Sequence, residues 1–118
     1  MRALMPLTFG LLLAQAALAS PPNLLGQELK VILIDPVSLR ARDVHESRTL
    51  SRFASGNLFL SSPDRAEYLY GNVSQQEPLR FTSGHKTFLF DSPEHRRATF
   101  VHVYTDEVRV SHASCNRT

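Results

Sequence analysis

Five histidines (His45, His85, His95, His102 and His112) and one cysteine, Cys115, are the residues of this 118-residue chain best suited to metal or nucleophilic chemistry. Imidazole is a common zinc ligand, yet these five match no compact ligand spacing. Three inward-pointing histidines on neighbouring strands stay open as a site. His102, set between Phe100 and Tyr104 at a period of two, is the strongest single candidate. Its alternative role is a histidine packed at the rim of an apolar face. Serines are plentiful, but no Gly-x-Ser-x-Gly elbow, glycine-rich phosphate loop or supported carboxylate pair occurs. The expectation is a non-enzyme with no cofactor and no metal. Asn72-Val73-Ser74 and Asn116-Arg117-Thr118 are sequons, which matter only in a cell that glycosylates asparagine.

The N-terminus reads as an export signal. Arg2 precedes the apolar "LMPLTFGLLLAQAALA", which closes on Ala17-Leu18-Ala19, so residues 1–19 form the expected leader, with cleavage after Ala19. The apolar run is short for a bilayer crossing and is interrupted by Pro6. The expected location is periplasmic or secreted. The charge balance, 13 basic against 11 acidic residues, offers no single-sign field to attract nucleic acid. Arg dominates the basic set, with Lys30 and Lys86 the only lysines, and with the leader this suggests a bacterial source. One cysteine cannot close an intrachain disulfide, so stability must come from packing or partner subunits. A free thiol and an intermolecular bridge both remain open for Cys115, placed in a C-terminal tail of residues 113–118.

These groups must be positioned by a repeated unit. Residues 50–70, "LSRFASGNLFLSSPDRAEYLY", match residues 78–104, "PLRFTSGHKTFLFDSPEHRRATFVHVY". Both copies carry Arg-Phe, Ser-Gly, Ser-Pro and Arg-Ala in the same order. Each reads as strand, tight turn, strand, proline turn, strand. Gly84-His85 suits a two-residue hairpin loop that pairs Phe81 with Phe88 and Leu79 with Phe90 on one face. Around Gly56-Asn57 the same count pairs Phe53 with Leu60. Ser62-Pro63-Asp64 could instead start a helix ending at Gly71. The alternating, β-branched "TFVHVYTDEVRVSH" of the second copy favours strands. "LKVILI" (29–34) reads as a strand buried on both faces. Residues 42–50, with Asp43 and Glu46 at capping-box spacing, read as a short helix or an exposed connector. The fold class is therefore all-β. One domain over residues 20–112 is built of repeated antiparallel hairpins in a β-sandwich or open β-jellyroll, with at most one short helix.

Arg65-Ala66-Glu67-Tyr68, followed by Tyr70-Gly71-Asn72-Val73, resembles the phrase of the OstA-like periplasmic lipopolysaccharide-transport repeats. The second copy shares Arg97-Ala98-Thr99-Phe100 and then departs. The resemblance spans roughly residues 50–110, and its motifs are short. It implies stacked antiparallel strands whose apolar interior carries acyl chains. Leu58, Leu60, Leu79, Phe81, Phe88, Phe90, Val101 and Val103 would line that groove, and Arg80 or Arg97 would meet a phosphate at its rim.

Two functional classes follow. One is an exported binding module that carries or bridges acyl-chain lipid. The other is a protein-binding, inhibitory or self-assembling envelope module with a closed core and a protein partner, including a homo-oligomer through open strand edges. The leader makes the first testable statement: protein recovered from its native envelope or medium should begin at Ser20, as read by N-terminal mass spectrometry.

Overall fold

The computed structural model describes residues 22–118, so the leader lies outside the described residues. The described chain is all β. The strands are β1 (Leu24–Ile34), β2 (Ala41–Glu46), β3 (Leu50–Ala54), β4 (Asn57–Ser62), β5 (Arg65–Asn72), β6 (Ser74–Glu77), β7 (Arg80–Ser83), β8 (Lys86–Phe90), β9 (Arg97–Val103) and β10 (Val108–Arg117). They form one antiparallel sheet in the order β5-β4-β3-β1-β10-β9-β8-β7-β6, with β2 paired to the far half of β1. The sheet curls into a half-barrel. Its two outer edges, β5 and β6, are consecutive in the chain and separated only by buried Val73.

Alternation of side chains across each strand makes the curl productive. Phe53 of β3, Leu58 and Leu60 of β4, Phe81 of β7, Phe88 and Phe90 of β8 and Phe100 of β9 all enter the concave side. Phe53 from the first repeat meets Phe88, Phe90 and Phe100 of the second, with ring centroids 5.0, 6.2 and 6.5 Å away in edge-on geometry. Phe53 is 1% exposed and Phe88 is fully buried. On the convex side Arg52 lies over Phe59, 4.4 Å from its centroid, and donates two hydrogen bonds to Glu67, at 2.9 and 2.6 Å.

The second hairpin has the expected register. Phe81 pairs with Phe88, the Phe90 amide donates to the Leu79 carbonyl, and Gly84 has φ +56 at the first loop position. The first hairpin differs. Its loop is Ser55-Gly56, with φ of 52 and 78, so Phe53 pairs with Leu58 rather than Leu60. Two successive positive φ values define a type I′ turn, and Ser55 accepts that backbone because the Asn23 side chain takes its amide hydrogen, at 3.1 Å. Pro63 and Pro93 sit in turns, and "EYLY" is strand.

Residues 42–50 are not helical: 42–46 make up most of the exposed strand β2, and a three-residue connector, 47–49, leads to Leu50 at the start of β3. The open edge of β1 captures them, and the Asp35 turn directs them there. Asp35 Oδ1 accepts the amides of Val37 and Ser38, at 2.8 and 3.0 Å, and these bonds hold its carboxyl below its usual pKa. "LKVILI" is not buried on both faces: Leu29 and Lys30 are exposed, while Val31 is buried. A bulge between Glu28 and Lys30 switches which parity faces inward, so an apolar run there does not mean two covered faces. The tail expectation for residues 113–118 also changes, because β10 runs to Arg117 and Ala113 and Cys115 join the core.

Gly84 is the sharpest test of this framework. A Cβ there would sit 3.1 Å from the Tyr70 hydroxyl and would need a left-handed backbone. Gly84→Ala should destabilise by about 1 kcal/mol or more, and Phe88→Ala by about 3–5 kcal/mol. Urea unfolding of each variant measures both.

Candidate functional site

Directly beside the phenylalanine row on the concave face runs a polar row. Arg109 of β10 pairs with His102 of β9, and His102 pairs with Lys86 of β8. The curl brings β4 and β5 to face them, closing a cavity of about 190 Å³. Its walls include Glu28, Tyr68, Tyr70, Tyr104, Arg65 and this row. His102 stacks on Tyr104 at 4.0 Å, and its ring meets Tyr70 edge-on at 6.4 Å. Arg65 lies 3.5 Å above the Tyr68 ring, and the Lys86 ammonium lies 5.6 Å from the Tyr70 ring centroid.

Glu28 is the only carboxylate in the wall, and it is 4% exposed. Its two oxygens accept hydroxyl hydrogens from Ser111 and Ser47, at 3.0 and 2.9 Å. The bulge after Glu28 makes this placement possible, since it lets both Glu28 and Val31 face inward. Among the described residues neither Lys86 nor Arg109 forms an ion pair. Arg109 Nε and His102 Nδ1 are buried without a hydrogen-bond partner. The cavity therefore holds three cationic side chains, Lys86, Arg109 and Arg65, against one carboxylate already engaged by hydroxyls. Buried polar nitrogens without partners are uncommon in proteins, and these two belong to neighbouring residues of the cavity wall.

Burial shifts the titration of Lys86 and His102. Desolvation lowers the Lys86 pKa, with Glu28 opposing and Arg109 reinforcing the shift. Desolvation, aided by Lys86, His85 and Arg109, lowers His102 from 6.5 to about 4. The imidazole is thus neutral at pH 7, with one ring nitrogen able to donate and the other able to accept. This set suits ligand recognition. No nucleophile-and-base pair with an orienting carboxylate is assembled in it, and no cluster of three or more potential metal ligands occurs among the described residues.

The residues expected to line a groove fall into three places. Leu58, Leu60, Phe81, Phe88 and Phe90 are packed against one another in the core, half-buried Leu79 rests against them, and Leu60 also reaches the cavity wall. Val101 and Val103 point to the convex face: Val101 pairs with Thr87, opposite in sense to the inward Phe88, and Val103 is 54% exposed. Arg80 pairs with Glu77 at 3.2 Å on the convex face. Arg97 is exposed near Arg96 and Arg117, beside a separate open cleft at the Cys115 end of β10. Of the histidines, His102 enters the cavity, while His95 caps the core, 4.7 Å from Phe90. Cys115 is buried, which pushes its thiol up to about 11.

Glu28, Lys86 and Arg109 were not evident as a set from the sequence. Arg109 and His102 do share the parity of Ser111 and Phe100, and Lys86 follows the Gly84 loop by two. Those counts place all three on the inner face once the strand order is known. No protein-family model, curated protein or solved structure matches the chain.

The His102 shift has a testable sign. The folded pKa lies below the unfolded one, so between pH 6.5 and about 4 the unfolded chain binds the extra proton first. This contribution to stability is complete above pH 6.5 and is lost as the pH falls through 4. The melting temperature of wild type should drop across that window more than that of His102→Asn. NMR of the ring protons should show His102 still neutral at pH 5.5.

Proposed function

We propose that the protein is an exported, non-enzymatic β-repeat binding module that takes a small anionic group, carboxylate or phosphate, into the mouth of its half-barrel. The observation that carries this is the Lys86–His102–Arg109 row, in which two cations without ion pairs line one cavity on either side of a neutral imidazole. Charge-assisted hydrogen bonds from Lys86 and Arg109 would hold the anion. The tyrosines would flank whatever it is attached to, and Glu28, held by Ser47 and Ser111, would keep the row from collapsing by mutual repulsion. A cavity of about 190 Å³ suits a small acid or a headgroup rather than a long chain.

The packed phenylalanines support the closed-core alternative over an interior that carries acyl chains. If the OstA-like resemblance reflects kinship, the cavity would serve it by recognising a headgroup phosphate.

The test is titration of the folded chain with inorganic phosphate, acetate and glycerol phosphate at constant ionic strength, read on the His102 ring resonances. Saturable shifts are expected. Each charged hydrogen bond contributes about 1.5–3 kcal/mol, so Lys86→Met and Arg109→Gln should each weaken binding by roughly tenfold or more. The melting temperatures of both variants should stay near that of wild type. Phosphate, acetate and glycerol phosphate all failing to shift His102 would overturn the reading, as would unchanged affinity in both variants.

A further inference from the structure

β2 is paired on one side only. The Ser47 amide reaches the Leu29 carbonyl of β1 at 3.3 Å, so odd-numbered amides of this segment face β1. Extended backbone alternates, and the Val44 amide accordingly points away from the sheet. Its only partner is its neighbour's carboxylate, Asp43 Oδ1, at 2.8 Å. The whole of β2 is exposed. The edge is regular over residues 43–46, beside a bulge at Arg42, and a regular free edge is a template for another strand.

The residues of β2 define which strand fits. Two copies of "ARDVHE" related by a two-fold axis through Val44 place Arg42 opposite Glu46 of the other copy. Asp43 then lies opposite His45, and Val44 opposite Val44. Within residues 42–46 no like charges meet in that register; each Arg42 also holds Glu107 of its own copy, Asp43 lies 3.6 Å from its own His45, and Arg40 falls opposite Arg48 just beyond the strand. The convex face adds an apolar continuation. Val44 pairs with Ile32, Ile32 with Val110, and Val110 with Val101, so these four form one row across β2, β1, β10 and β9. Val44 stands at the end of that row and is 47% exposed. A second copy would extend the row without a break across both molecules.

We propose that β2 is a self-complementary edge through which two copies of this chain pair antiparallel about Val44. The Val44 amides and carbonyls exchange hydrogen bonds across the two-fold axis, which releases Asp43 to face His45 of the other copy. The two half-barrels then share one continuous sheet, with their anion cavities on the same, concave side of it. This pairing does not depend on what the cavities bind.

Val44→Pro separates this edge from the fold. Proline is tolerated on an edge strand where the missing N–H faces solvent, so pairing with β1 survives while pairing with a second copy is blocked. Sedimentation velocity over a micromolar to millimolar range should show wild type in a monomer–dimer equilibrium and Val44→Pro as a monomer with a similar melting temperature. Glu46→Arg, which sets Arg against Arg42, should shift the equilibrium to monomer, and Arg42→Glu combined with Glu46→Arg should restore it when Glu107→Gln removes the carboxylate that holds Arg42 in its own copy. If Val44→Pro lowers the melting temperature, the charge-reversal pair alone decides. Wild type that stays monomeric throughout, or charge variants that associate like wild type, would overturn the proposal.

Discussion

The packing of Phe53 against Phe88, Phe90 and Phe100 is the contact on which the molecule depends. Phe53 sits in β3 and the other three in β8 and β9, on the two wings of one sheet, with β1 and β10 between them. A flat sheet would leave these rings in water. Curling buries them, and burial of a phenylalanine is worth about 1.5–3 kcal/mol. The internal repeat supplies this economically. Each copy contributes an Arg-Phe strand and a hairpin, and the second copy's phenylalanines close over the first copy's Phe53 and Leu58.

The same curl creates the cavity. Tyr68 and Tyr70 on β5 are far in strand order from Arg109 on β10, yet they share a wall with it because the wings approach. Burial that favours the aromatic row is costly for the polar row beside it. Desolvation lowers the pKa of both Lys86 and His102. For Lys86, Glu28 offsets part of that cost through its charge, while its two oxygens accept from Ser47 and Ser111. Recognition of an anion here would use a field the fold already maintains.

Legibility in the sequence followed the range of the interaction. Gly84, Phe81 and Phe88 could be placed correctly because turn chemistry and period-two alternation are local. Ser55-Gly56 was displaced by one residue, since the turn type depends on Asn23, a distant neighbour that takes the Ser55 amide. β2 was hidden because nothing within residues 42–50 reveals that β1 has a free edge to offer. Val101 and Val103 read as lining residues because valine alternation marks a face without saying which one. Glu28 was invisible for a different reason: a bulge changes parity, and a bulge leaves little trace in a run of six mostly apolar residues.

Val73 has a consequence for the shape of the whole half-barrel. It is the single residue between β5 and β6, the two strands at the open edges, and its amide is tied to the Gly56 carbonyl at 2.8 Å. Adjacent antiparallel strands need a loop of about two residues to fold back on one another. One residue is too few, so β5 and β6 cannot zip together and complete the cylinder. The seam is held open by chain connectivity rather than by any weakness of pairing. The two ends of the sheet are joined there by one covalent link in place of a ladder of hydrogen bonds.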